Sequence, residues 1–343
     1  TFLHNSLDLF ARKVREQGKS WIDLEDAERD ALAENCVTEV VEKSGESILL
    51  SSARNAYIIN RVKRMVKRSV WALQNQLKQG EFYPALTEWA FGEKDNIDSL
   101  NFDLAAGQKL YLKGRIDRID VCQDKENHLY VKVIDYKSGT TQLDLIKLYY
   151  GLQIQLALYL NAALELEKKR FPDKIVQPAG VFYYNTKDPI LNKEDVKNPE
   201  NPQEEILKKL KMDGICSSEP EILQKLDKNL AVEKSVESFA VPVKYTAKGT
   251  FSSNSKVANQ KEFAIMMEYV QDKAKKIGRE ILKGNTSVNP FEWKKENACE
   301  YCPYKEICGF DEKLPGYEYR KLEKDKSSNL WCLMEEEMER GEK

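Results

Sequence analysis

At 343 residues with 41% apolar side chains, the chain can bury one large core or two medium ones, which excludes a disordered protein. Its 54 basic and 56 acidic residues nearly cancel, so an anionic partner has to be held by local patches rather than by the overall field. No apolar run reaches the roughly 20 residues of a membrane span and no charged-then-apolar leader opens the chain, so a soluble, cytoplasmic protein is expected.

The opening TFLHNSLDLFARKV has helical apolar spacing at Phe2 or Leu3, Leu7, Phe10 and Val14, and its start on Thr1 reads as a cut from a longer polypeptide. ARNAYIINRVKRMVKRSVWALQNQLKQG predicts one long amphipathic helix with Ile59, Val62, Val66, Leu73 and Leu77 inward, ending at Gly80. Its Arg61, Lys63, Arg64, Lys67 and Arg68 read equally as contacts for a phosphate backbone and as a solvated face. From ALTEWAFG the period shifts towards two. KLYLKGRIDRIDVC and HLYVKVIDYKSG then predict an antiparallel hairpin joined by the turn QDKEN, with His128 in the turn.

TQLDLIKLYYGLQIQLALYLNAALELEKK returns to helical spacing, and AGVFYYNT suits a buried strand. The order helix, strands, helix, strand implies an α/β protein with a central mixed sheet flanked by helices. Residues 1–186 are expected to form the core, 187–245 a charged surface insertion with two short helices, 246–311 a helix and cysteine cluster completing the domain, and 312–343 an acidic tail. The helix NQKEFAIMMEYVQDKAKKIGREILKG begins with the capping-box pair Asn259 and Glu262 and is closed by Gly284.

Side chains two apart on a strand share a face, so Asp135 and Lys137 of KVIDYKSG emerge together, and a paired hairpin brings Asp117 of GRIDRID into their neighbourhood. Converging carboxylates repel unless a cation neutralises them, which points to Mg2+ and to Lys137 assisting hydrolysis of a phosphodiester. Gly114 leaves room for close approach of a ligand or backbone. The competing reading is a cross-strand charge ladder of Asp117, Asp120, Arg115, Arg118 and Lys137.

Asp117, Asp135 with Lys137, and Gln155 with Tyr159 in QLALY together resemble the RecB-type branch of the PD-(D/E)XK nuclease superfamily, with its restriction-endonuclease-like core and helical insertions. The resemblance implies a catalytic set of Asp117, Asp135 and Lys137, and a metal held by His4, Asp117 and Asp135, with Mn2+ or Ca2+ as substitutes for Mg2+. It implies that Gln155 and Tyr159 contact DNA or support the site, and that Glu88 of TEWAFG plays a supporting part.

Cys299, Cys302 and Cys308 form C-x2-C-x5-C, a spacing for zinc or a [4Fe-4S] cluster that needs a fourth ligand from elsewhere. Cys36, Cys122, Cys216 and Cys332 are single and read as ordinary thiols. LKKLKMDGICSSEPEILQKLD, KGTFSSNSKVANQKEFAIMMEYV, GNTSVNPF and CEYCPYKEICGFD are similar to the C-terminal part of the B subunit in AddAB-type helicase-nucleases, across nearly the whole chain. In that family the cysteine triplet joins an upstream cysteine to hold a [4Fe-4S] staple. This sequence has no such cysteine, so the staple is absent, closed by a substitute such as Cys36, or incomplete through loss of the segment.

The resemblance implies a Mg2+-dependent DNA exonuclease acting with an AddA-like partner. It would degrade one unwound single strand, the 5'-terminated one, during double-strand-break repair by recombination. Two other classes stay open: a non-catalytic DNA-binding or scaffold module of the same fold, and a stand-alone nuclease like the Cas4 group.

Overall fold

The structure, a computed structural model, describes residues 2–44, 52–92, 100–105, 107–191, 202–230, 235–323 and 330–341. In chain order these form α1 (Phe2–Glu16), a 3-10 turn (Trp21–Asp23), α2 (Asp26–Lys43), α3 (Ala53–Gln79), β1 (Tyr83–Phe91), β2 (Asn101–Ala105), β3 (Gln108–Tyr111), β4 (Gly114–Gln123), β5 (His128–Lys137), α4 (Leu145–Tyr149), α5 (Gln155–Arg170) and β6 (Ile175–Asn185). There follow α6 (Pro202–Lys209), β7 (Asp213–Ser217), α7 (Pro220–Leu226), β8 (Val257–Ala258), α8 (Gln260–Leu282), β9 (Phe291–Trp293), β10 (Glu296–Asn297), α9 (Lys305–Cys308), β11 (Arg320–Lys321) and α10 (Leu330–Gly341).

A six-stranded mixed sheet in the order β1-β4-β5-β6-β7-β8 runs through the middle. β4 pairs antiparallel with β1 and β5, while β6 lies parallel to β5 and antiparallel to β7. β5 is buried along nearly its whole length, so alternation sorts its side chains between two cores. Tyr130, Ile134 and Tyr136 enter the layer made with α1, α2 and α3, whereas Leu129, Val131 and Val133 meet α5 and α8. Each such fully buried aliphatic contributes about 1.5–3 kcal/mol of transfer free energy. Among the described residues no helix is long and apolar enough to cross a membrane.

The hairpin and the long helix lie where the sequence predicts them. The first hairpin strand is split, because Gln108–Tyr111 pairs with β2 in a ribbon of its own, and Phe102 and Leu104 pack on Ala274 of α8. His128 is not in the turn; it begins β5, with its ring Nδ1 2.8 Å from Asp124. The single predicted helix after β5 is two, interrupted near Gly151, whose φ of +80° suits glycine and ends α4. Gly114 does not make room for a ligand: a Cβ there would lie 2.5 Å from the Phe91 ring that covers it.

The stretch expected as a surface insertion supplies an interior strand. β7 joins the central sheet, and Leu210, Met212, Leu223, Val241 and Tyr245 enter the core beside α3. Their apolar clumps are too short to stand out from the charged residues around them, and only packing reveals them. Within the stretch expected as an acidic tail, Leu330–Gly341 form α10. Leu330 and Met334 are buried on its inner side, and the Glu337 carboxylate accepts hydrogen bonds from the Tyr269 hydroxyl and Lys273 Nζ, both at 2.8 Å. In α8 the capping box is present, with Asn259 and Glu262 exchanging hydrogen bonds.

Candidate active site

The hairpin register sets Arg118 against Ile134, which brings the preceding Asp117 beside Asp135. Asp117 Oδ2 accepts a 2.6 Å hydrogen bond from the backbone N–H of Tyr136, fixing the carboxylate across the hairpin. Asp135 is buried, and Lys137 Nζ lies 2.6 Å from its Oδ2. The ammonium is the charge that faces the buried Oδ2. Burial pushes the Asp135 carboxyl above its usual range; Lys137 opposes the shift and the Asp117 charge adds to it.

Gln155 opens α5 directly above this pair. Its amide nitrogen is 2.8 Å from the Tyr159 hydroxyl and 3.4 Å from Asp135 Oδ1, while its oxygen is 3.4 Å from Lys137 Nζ. The Tyr159 ring stands edge-on to Phe91 at 5.9 Å, so this tyrosine is both core and support. The Thr186 backbone N–H and hydroxyl both donate to the Lys137 carbonyl, which locks the strand end carrying the lysine.

α1 and β1 complete the cluster. His4 Nδ1 is 3.4 Å from Asp117 Oδ2, and the His4 ring meets the Tyr136 ring edge-on at 6.1 Å. Glu88 lies between the pairs Thr87–Arg118 and Trp89–Ile116, opposite Asp117. Its φ of +47° is a left-handed conformation that costs an ordinary residue about 1–3 kcal/mol and often marks a functional position. Ligand atoms of His4, Glu88 and Asp117 lie within 4.8 Å of one another, and they are the one such group of three or more among the described residues. Asp135 stands outside this close group, tied to Lys137 and Gln155.

The electrostatics match a site short of cations. Burial raises the Glu88 carboxyl, the Asp117 charge raises it further, and Arg115, 3.3 Å from Glu88 Oε2, restrains the shift. The Asp117 hydrogen bond raises His4 above an ordinary histidine despite burial. Carboxylate oxygens with one imidazole form a donor set suited to a hard divalent cation.

The charge ladder resolves into two faces. Asp117 and Lys137 belong to the site. Arg118 and Asp120 are wholly buried on the opposite face, where Arg118 grips Asp120 at 2.6 and 2.8 Å and Lys132 approaches it at 3.1 Å. Trp21 and Phe82 cover the two cations at 5.0 Å. Sequence reasoning passed over Lys132 and Tyr136. Tyr136 lies inside the strand motif, and its alternation towards α1 was the available signal.

Cys299, Cys302 and Cys308 line one pocket of about 270 Å3 with Lys305, Phe310 and Tyr319. Cys36 is not among its lining residues. It is buried in the core face of α2, and burial pushes its thiol up to about 11. Cys122 and Cys216 are buried as well, and Cys332 is exposed.

A mixed sheet bearing acid, acid and lysine at the end of its central hairpin, with a histidine supplied from the first helix, is a candidate site of nuclease type. The chain belongs to the PD-(D/E)XK nuclease superfamily, whose pattern its residues 1–309 match. Over 344 residues it is 38% identical to the B subunit of the ATP-dependent helicase/deoxyribonuclease of Lachnoclostridium phytofermentans, an alignment covering 99% of this chain and 28% of that protein. The corresponding B subunits of Caldanaerobacter subterraneus subsp. tengcongensis, 36% identical with 98% and 28% covered, and Clostridium acetobutylicum, 34% identical with 100% and 30% covered, are similar in the same way. The chain thus spans under a third of the length of these curated relatives.

Proposed function

We propose that this chain is the DNA-cleaving part of an AddAB-like helicase-nuclease and hydrolyses phosphodiester bonds of one unwound strand. The observation that carries the reading is the approach of His4, Glu88 and Asp117 to one another beside the Asp135–Lys137 pair. His4, Asp117 and Asp135, with Glu88, would hold Mg2+, for which Mn2+ or Ca2+ would substitute. When bound, the cation supplies Lewis-acid polarisation of the scissile phosphate.

In this reading the residues of the chain do the rest. Tyr136 holds Asp117 by its backbone N–H, and Gln155 orients both Asp135 and Lys137. The Lys137 ammonium donates to the attacking water and offsets charge developing on the phosphate. Water oxygen bonds to phosphorus and gives up one proton to solvent, the bond to the leaving sugar oxygen breaks, and that oxygen takes a proton from solvent, so protons and charge balance.

The relatives, described as B subunits of an ATP-dependent helicase/deoxyribonuclease, support a DNA substrate and an AddA-like helicase partner. The single-stranded, 5'-terminated substrate and a place in recombinational repair in the cytoplasm are the finer part of this proposal. Three thiols around one pocket are chemically suited to a [4Fe-4S] cluster whose fourth ligand comes from outside the pocket. The test is cleavage of single-stranded DNA with Mg2+ by the unaltered chain, Asp117→Ala and Lys137→Ala. Loss in both variants supports the reading, while equal degradation by all three would leave a DNA-binding module.

A further inference from the structure

A second feature adjoins the candidate site. A groove of about 310 Å3 runs between α1 and the C-terminal end of α2 and opens on Glu88 and Arg115. That volume lies at the lower end of the range for ligand clefts. Phe2, Asn5 and Arg12 line it from one face of α1, with Lys43 at the far wall. Arg12 is paired with Asp8 at 3.0 Å, Lys43 with Glu39 at 2.6 Å and Arg115 with Glu88 at 3.3 Å. All three cationic side chains are more than half exposed, at 55%, 71% and 63%, so each has the freedom to turn towards an incoming anion.

We infer that this groove seats the nucleotides flanking the scissile phosphate, with Arg115 and Arg12 contacting successive backbone phosphates and Phe2 offering its ring to a base. The inference rests on the nuclease reading and deepens it by naming the strand's path. Arginine suits phosphate through its planar fork of donors, and the Asn5 amide adds a neutral donor and acceptor. An aromatic ring beside a basic track is the general means of holding a single strand without reading its sequence. The basic face of α3 offers similar charges, paired in the same way, Lys67 with Glu34 and Arg64 and Arg68 with Asp188. The pockets lined by these residues do not include Glu88, which does line the α1–α2 groove. Continuity with the candidate site therefore favours the α1–α2 groove.

The test is the affinity of the 343-residue chain for a short fluorescent single-stranded oligodeoxynucleotide, with Ca2+ in place of Mg2+, across a series of salt concentrations. Arg12→Ala and Arg115→Ala are each expected to weaken binding and to lower the slope of log affinity against log salt by about 0.7, the value for one lost phosphate contact on a single strand. Phe2→Ala is expected to weaken binding with the slope unchanged, and Arg64→Ala on α3 to bind like the unaltered chain. Calorimetric titration with Mn2+ is expected to give Arg12→Ala unchanged cation affinity, separating strand binding from the cation site. Unchanged affinity and slope in Arg12→Ala and Arg115→Ala would overturn the groove while leaving the nuclease reading intact. Failure of the unaltered chain both to bind and to cleave would overturn the two together.

Discussion

Tyr136 holds Asp117 from across the hairpin: its backbone N–H reaches Asp117 Oδ2 at 2.6 Å, while its ring, on the opposite face of β5, stands against His4. One residue thereby braces two groups of the candidate cation site from two directions. Supports of this kind are typically worth about 10–100-fold in metal affinity.

Tyr136→Leu is therefore expected to keep the backbone hydrogen bond, lose the ring against His4, and weaken Mn2+ binding about tenfold. Tyr136→Phe keeps the ring and should bind Mn2+ like the unaltered chain. Calorimetric titration distinguishes the two, and equal affinities for both variants would deny the ring any part in placing His4.

Glu88 combines left-handed backbone with a half-buried carboxyl that burial and Asp117 push upward. Asparagine tolerates that backbone and carries no charge. Glu88→Asn is expected to raise stability by about 1 kcal/mol in urea unfolding while reducing Mn2+ affinity. A stability gain with cation affinity intact would remove Glu88 from the site.

Asp117 and Asp120 are three residues apart on β4 and have opposite duties. Asp120→Ala would strand the buried Arg118 and Lys132, at a cost of about 3–5 kcal/mol. Asp117→Ala removes a carboxylate crowded by Glu88 and Asp135, so its effect should appear in cation affinity and cleavage rather than in stability. Paired denaturant curves and Mn2+ titrations check both halves of the contrast.

Asp124, where β4 turns into β5, provides a pH signature away from the site. Burial pushes its carboxyl up, but the His128 backbone N–H, the Tyr130 hydroxyl, the His128 ring and the Glu126 backbone N–H outweigh that and hold it at about 2. This lies below the roughly 3.9 of a free aspartate. Its stabilisation is therefore fully present above pH ~4 and is lost as pH falls through about 2. Asp124→Asn should flatten the fall in urea midpoint across that window, and parallel curves for the two proteins would contradict the assignment.

Sequence alone determined the elements whose physics is local. The α3 periodicity, the capping box at Asn259 and Glu262, and the alternation that sets Asp135 beside Lys137 all follow from repeats of two or three to four residues. The Gln155–Tyr159 pairing is equally local, one helical turn apart, and the structure joins the two at 2.8 Å.

Tertiary structure decided which of several similar charges meet. Nothing local distinguishes Asp117 from Asp120 as site and core; that separation comes from which face of β4 meets α1–α3 and which carries Asp135. Glu88 enters the close group with His4 and Asp117 through a φ that no periodicity predicts, and β7 becomes an interior strand because β6 and β8 pair with it on either side. Propensity and spacing act over a few residues, whereas burial and converging charge depend on partners far away in the chain, so these features appear only once the chain is packed.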